Sequence, residues 1–129
     1  MLPYQPASRL KDLMESGDVH LVSMHEQAAG MIVPVKLYSA LAVHRPCILV
    51  GPALCETAKV IEDFKVGSVI PQGNAKRLAE DIRQLRENSD KWFAAYEGAK
   101  AASEVFLPQE SINAWMQRAW SVVDQDLKK

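Results

Sequence analysis

The sequence lacks the features that mark several common classes of protein. Its formal net charge is −1 over 129 residues, so the basic stripe of a nucleic-acid-binding protein is missing. Its two cysteines, Cys47 and Cys55, form no metal-binding or redox motif, which favours a reducing compartment. No apolar run reaches the roughly 20 residues of a membrane span, and no basic region precedes an apolar one at the N-terminus. We therefore expect a cytoplasmic protein that binds no nucleic acid and holds neither a metal nor a cofactor.

The chain does contain short apolar runs that alternate with helical patterns. Residues 18–23, 47–50 and 67–70 have the pattern of buried strands, and helical patterns cover residues 8–15, 35–43 and 57–64. Further helices are predicted at about 74–87 and 90–105, and a last one follows Pro108. The pattern predicts an α/β fold: a partial Rossmann-like parallel sheet of three main strands flanked by helices, with a helical C-terminal extension. With 48% hydrophobic residues, the chain is sufficient for a single domain over residues 1–129.

A glycine-containing loop before the second helix is the feature most suggestive of chemistry. Gly30 begins an apolar segment that leads to Pro34, after which a helix is predicted to open. The first amides of a helix have no partner within it, and its N-terminus carries the positive end of the helix dipole. Together these features suit a phosphate group. The sequence therefore predicts a site for a nucleotide or another phosphorylated ligand.

Several short motifs follow one another in a recognisable order. They are residues 4–6, Leu10, Leu13, 18–22, 30–41 with the run Pro34-Val-Lys-Leu-Tyr38, 45–46, Glu56 and 69–73. Together they resemble the C-terminal part of a family 4 glycosyltransferase of the GT-B fold, and the resemblance covers nearly the whole chain. It is to the colanic-acid type, which acts in bacterial polysaccharide assembly. It implies a retaining transferase whose C-terminal domain binds a nucleotide-sugar donor of the UDP or GDP type.

The resemblance also implies roles for particular residues. The main chain of Gly30, Met31, Ile32 and Val33 would approach the donor sugar and diphosphate, and Lys36 matches the lysine of the family's Pro-x-Lys-Leu-Tyr pattern. An alternative for this segment is a structural turn followed by a solvated lysine.

Three other residues would lie near the nucleoside. Tyr4 and Gln5 would border the nucleobase, and Ser39 would offer its hydroxyl to the ribose. Packing of Tyr4 on the first helix and an ordinary helix-surface serine are the alternatives.

Two departures from the family's pattern bear on activity and on helix geometry. Its paired glutamates, eight positions apart, fall here on Met31 and Ser39, so both acids are missing. His44 stands where the family has glycine before the Arg-Pro turn, which disfavours a left-handed helix cap there. The missing acids keep a second function open, a degenerate, non-catalytic α/β binding or interaction module.

The resemblance further implies that β/α units and an acceptor-binding domain precede Tyr4 in the full transferase. We therefore expect this chain alone to be inactive. The first strand then has an open edge, which predicts a homodimer through that edge. A lipid-linked acceptor would hold the full enzyme at the inner face of the membrane.

Overall fold

The computed structural model of the chain describes residues 6–106, and it confirms the predicted α/β fold. A three-stranded parallel sheet is flanked by helices on both faces. Tyr4, Gln5 and the helix predicted after Pro108 lie outside the described residues.

The sheet contains strands β1 (His20–Ser23), β2 (Cys47–Val50) and β3 (Gly67–Ile70) in the order β1-β2-β3. All pairs are parallel, and Cys47 lies opposite His20 on one side and Gly67 on the other. The apolar run in β2 is buried because this strand is central and covered on both faces. β1 begins two residues later than predicted from the apolar pattern.

Five α-helices are present among residues 6–106: α1 (Leu10–Glu15), α2 (Val35–Ala42), α3 (Glu56–Asp63), α4 (Ala75–Glu87) and α5 (Ser89–Val105). The helical pattern predicted from residue 8 starts as a short 3-10 helix (Ala7–Arg9), and α1 itself begins after its N-cap, Arg9. The predicted break between α4 and α5 is confirmed. Asn74 caps α4 through its side chain, and Asn88 ends α4 and caps α5.

The two faces of the sheet carry separate apolar clusters. Cys47 and Leu49 of β2 pack with α2 and α3, whereas Ile48 and Ile70 pack with Leu85 of α4. Alternation along a strand explains the division, because successive side chains point to opposite faces. α2 and α3 cover the first face together, whereas the second face is covered by α4 and by Ala95 of α5.

Both α2 and α3 end in a left-handed cap formed by a residue other than glycine. His44 has φ of 55°, and its amide and that of Arg45 bond the carbonyls of Leu41 and Ala40. Lys65 has φ of 56° and stands in the same position after α3, where Val66 bonds the carbonyl of Ile61. This is the Schellman pattern. The expectation that His44 would disfavour the left-handed cap is therefore wrong, because the turn into β2 needs this geometry.

α5 lies along the edge of the sheet where the strands begin. Its Trp92 indole donates to the carbonyl of Asp18, just before β1, over 2.9 Å. Tyr96 meets the His44 ring edge to face at 5.7 Å, just before β2. Gly98 faces the main chain before β3, where a Cβ on it would come 2.2 Å from the carbonyl oxygen of Phe64. α5 thus contacts the residues that come just before each of the three strands.

Candidate functional site

Three loops meet at the edge of the sheet where the parallel strands end. Residues 24–34 follow β1, residues 51–55 follow β2 and residues 71–74 follow β3. In open parallel sheets, ligands bind outside this carboxyl edge. The predicted phosphate loop belongs to the first of these loops, so the fold brings it to the edge where a ligand is expected.

The carbonyl of Met24 joins the three loops. The side-chain amide of Gln72, from the loop after β3, donates to it over 3.0 Å. Gly51, after β2, passes so close that a Cβ there would lie 2.5 Å from the same oxygen. Any residue larger than glycine at position 51 would therefore displace the first loop, so this contact fixes where the loop starts.

The loop turns at Gly30, which has φ of 78° and open space around the position of a Cβ. Glycine is favoured there by the backbone conformation and not by crowding. The Ala28 carbonyl accepts the amides of Met31 (3.1 Å) and Ile32 (3.3 Å). Within residues 6–106, the amides of Gly30 and Val33 donate to no protein group. Two amides of the loop therefore close the turn, and two have no partner in the described part of the chain.

α2 begins without a side-chain cap. Its N-cap is Pro34, which has no side-chain hydrogen-bonding group, and the Leu37 amide bonds the Pro34 carbonyl at 3.1 Å. The amides of Val35 and Lys36 have no acceptor in the described part of the chain. These two amides at the helix start adjoin the unbonded amides of Gly30 and Val33 in the loop.

The side chain of Lys36 lies at the outer edge of β1. Its ammonium donates to the Leu21 carbonyl over 2.8 Å. The amides of His20 and Met24 donate to the carbonyls of Pro46 and Val50, on the β2 side of the strand. Main-chain groups of successive residues in a strand point to opposite sides. The Leu21 carbonyl therefore points away from β2. Lys36 is exposed. The lysine expected to face a phosphate thus also covers an edge carbonyl.

Of the three nucleoside-binding residues predicted from the resemblance, only Ser39 lies among the described residues. The hydroxyl of Ser39 donates to the Val35 carbonyl in its own helix at 3.3 Å. A hydroxyl bonded in this way still has lone pairs to accept with. Tyr4 and Gln5 lie outside residues 6–106, so their predicted role stays a prediction.

The start of α3 adds a thiol cap that sequence reasoning missed. The Cys55 sulfur accepts the Ala58 amide at 3.4 Å and donates to the Pro52 carbonyl at 3.2 Å. The signal was present, since a cysteine directly before a helix can replace a capping serine in shape.

Burial, and secondarily the charge of Glu56, raise the pKa of Tyr38.

Cys47 is the other thiol, and it is fully buried at the start of β2. Burial raises its pKa to about 12, an effect that the charge of Lys36 partly opposes. A thiol in this state stays protonated at neutral pH and acts as a small apolar side chain.

No group of three or more histidine, cysteine or acidic side chains within residues 6–106 has a geometry that could hold a metal ion. None of the helices described for this part of the chain has the length and apolar character needed to cross a membrane. The chain matches no protein-family model, no curated protein and no solved structure.

Proposed function

We propose that the chain is the donor-binding part of a retaining glycosyltransferase, which transfers a sugar from a UDP- or GDP-type nucleotide-sugar in bacterial polysaccharide biosynthesis. The diphosphate would lie against Gly30, Val33 and the first turn of α2. The acceptor would be lipid-linked, and the full enzyme cytoplasmic at the inner face of the membrane. By itself this chain would bind the donor and catalyse no transfer.

The observation that carries the proposal is the set of amides at the uncapped start of α2. Gly30, Val33, Val35 and Lys36 have main-chain donors without protein acceptors in the described part of the chain. They follow one another along a loop and helix start at the carboxyl edge of a parallel sheet. An anion at this place receives hydrogen bonds and meets the positive end of the helix dipole.

The exposed loop side chains fit recognition by the main chain. Met31 and Val35 are 74% and 76% exposed, and neither carries a polar group. Affinity for an anion would therefore come from amides and from the Lys36 ammonium, which would exchange its hydrogen bond to the Leu21 carbonyl for one to the anion. A phosphate that competes with the Leu21 carbonyl would draw Lys36 from the sheet edge, because a charge-assisted bond to phosphate is stronger than one to a neutral carbonyl.

An amide-resolved NMR titration tests the proposal. UDP and GDP at millimolar concentration should shift the amide resonances of Gly30, Val33, Val35 and Lys36, and Lys36→Glu should abolish the shifts. Lys100→Glu is the matched control, because Lys100 is an exposed lysine on α5. Shifts that spare residues 30–36, or that survive Lys36→Glu unchanged, contradict the proposed site.

A non-catalytic α/β binding or interaction module is the second candidate. It is favoured by Met31 and Ser39, which stand where the resembling transferases carry two glutamates. A chimera that joins this chain to the N-terminal half of such a transferase separates the two. Little transfer by the chimera, raised by Met31→Glu with Ser39→Glu, supports a donor site that has lost its acids. If the acids restore no transfer, the module function is favoured.

A further inference from the structure

A cavity lies away from the carboxyl edge, on the face of the sheet that α4 covers. It has a volume of about 540 Å³ and opens between α4, the first turns of α5 and the beginning of β3. Its polar lining residues are Lys65, Ser68, Arg77, Glu80, Asp81, Gln84 and Lys91.

The cavity is the space that α4 and the first turns of α5 leave beside the beginning of β3. Leu85 of α4 contacts the cluster that contains Ile48 of β2. Ser68 of β3 points to the same face, since it lies opposite Ile48 in the register. Ser68 is one of the residues that line this space, although its hydroxyl oxygen is covered.

Two residues that line this cavity each have a covered side-chain atom with no hydrogen-bond partner within residues 6–106. Asp81 is 6% exposed; its Oδ1 accepts from the Arg77 Nε at 3.3 Å, but its Oδ2 accepts from no group in the described part of the chain. The Ser68 hydroxyl is likewise buried and unpartnered. Buried polar groups are nearly always hydrogen-bonded, and leaving one unpaired costs about 1–3 kcal/mol. Two such atoms lining one cavity call for a ligand that supplies the missing bonds.

The types of these groups define the part of a ligand that would reach them. A carboxylate oxygen only accepts, whereas a serine hydroxyl both donates and accepts. A ligand hydroxyl satisfies both, because it can donate to Asp81 and accept from Ser68. Both atoms are covered in this structure, so a ligand reaches them only when the Ser68 side chain turns about χ1 and the Asp81 side chain about χ2.

The rim defines the other part of the ligand. Lys65, Arg77 and Lys91 carry three positive charges around the cavity against two negative charges on Glu80 and Asp81. This excess disfavours a cationic ligand and attracts an anionic group to the rim. None of the described residues that line the cavity is aromatic, so none of them would stack a nucleobase.

We propose that this cavity binds a small phosphorylated polyol, a sugar phosphate in size and chemistry, with its hydroxyls on Ser68 and Asp81 and its phosphate at Lys65 and Lys91. This site is separate from the donor loop: it adjoins the beginning of β3, whereas the donor loop follows the end of β1. It does not depend on the proposed transferase function.

An NMR titration of the whole chain with glucose 1-phosphate, glucose and inorganic phosphate as probes tests this site. Glucose 1-phosphate should shift the amides of Ser68 and Asp81 and saturate. Glucose and inorganic phosphate should each bind at least tenfold more weakly, because each lacks one half of the contacts. Asp81→Asn and Ser68→Ala should each weaken glucose 1-phosphate about tenfold, which corresponds to about 1.4 kcal/mol.

Two controls isolate the site. Asp90→Asn changes an exposed acid in the first turn of α5 and should leave the affinity unchanged. Lys36→Glu should also leave it unchanged, which separates failure of this proposal from failure of the donor site. Ser68→Ala decides the question if Asp81→Asn does not fold.

Three outcomes overturn the proposal. Binding of inorganic phosphate that is as tight as that of glucose 1-phosphate would mean a simple anion site. Affinity for glucose 1-phosphate that is unchanged in both Ser68→Ala and Asp81→Asn would mean that neither side chain contacts the ligand. If no probe shifts these amides while Ser68→Ala raises the melting temperature, the cavity holds water alone.

Discussion

The ammonium of Lys36 bonds the carbonyl of Leu21 over 2.8 Å, on the side of β1 that faces away from β2. Within residues 6–106, β1 pairs with β2 alone. A lysine at the edge of a sheet discourages pairing with another strand, because it occupies a ladder group and places a charge there. The bond links the predicted phosphate loop to the edge of β1 that is open within residues 6–106.

This arrangement predicts which amides of β1 exchange slowly. The main-chain groups of His20 and Val22 face β2, so their amides should be protected from hydrogen exchange in a monomer as strongly as those of Ile48 and Leu49. The main-chain amides of Leu21 and Ser23 face away from β2 and should exchange rapidly unless another strand pairs with them. Exchange measured over a range of concentrations checks this, with sedimentation on the same samples. If a monomer protects Leu21 and Ser23, this edge is covered within the chain.

The same contact predicts the effect of removing the lysine. Lys36→Ala frees the Leu21 carbonyl and removes a charge, so the predicted homodimer through β1 should form at lower concentration. Lys59→Ala, at an exposed position on α3, is the control. Sedimentation equilibrium measures both variants. Equal self-association of the two variants would show that the β1 edge plays no part.

The approach of α5 to the entrance of β3 predicts a destabilising substitution. Gly98→Ala should lower the free energy of unfolding by about 1–3 kcal/mol, because its Cβ would overlap the Phe64 carbonyl at 2.2 Å. Helix propensity alone predicts the opposite sign, a gain of about 1 kcal/mol. Ala101→Gly, at an exposed position of the same helix, should cost about 1 kcal/mol. Urea unfolding separates the two effects, and a stabilised Gly98→Ala variant would disprove the contact.

The two left-handed caps predict a contrast between His44 and Lys65. A residue other than glycine in this conformation costs about 1–2 kcal/mol, so Lys65→Gly should stabilise the fold by up to about 1 kcal/mol. His44→Gly should gain less, because it also loses the ring contact with Tyr96 at 5.7 Å. Thermal unfolding of the two variants checks the order. A larger gain at position 44 would mean that the ring contact contributes nothing.

The buried thiol of Cys47 predicts how stability depends on alkaline pH. Its pKa is raised from 9.0 to about 12 in the folded chain. Its stabilising contribution is therefore complete below pH 9 and is lost as the pH rises towards 12, because the unfolded chain then ionises first. The slope for one thiol is at most about 1.4 kcal/mol per pH unit. Urea unfolding between pH 8 and pH 10 measures it, and Cys47→Ala should flatten the curve; the raised pKa of Tyr38 acts in the same direction.

Much of the fold followed from local patterns in the sequence. The apolar runs identified β1, β2 and β3 because a buried parallel strand is apolar on both faces. Asn74 and Asn88 marked the ends of helices because their side chains accept amides that a helix start leaves unpaired. The open amides at Gly30 and at the start of α2 also followed from sequence, since a loop with glycine before an uncapped helix has few other arrangements.

The tertiary structure decided the relationships between distant residues. Lys36 was recognisable as the lysine of a phosphate-type motif, but its bond to Leu21 depends on the direction of carbonyls in a strand fifteen residues away. The left-handed conformation at His44 went against local preference because the entrance to β2 required it. Asp81 has the sequence pattern of one acid on an amphipathic helix, and its burial at the cavity that Ser68 also lines depends on how α4 packs against the sheet. Sequence sets local conformation through backbone and capping chemistry, whereas the position of α4 over the sheet determines which polar groups lose contact with water.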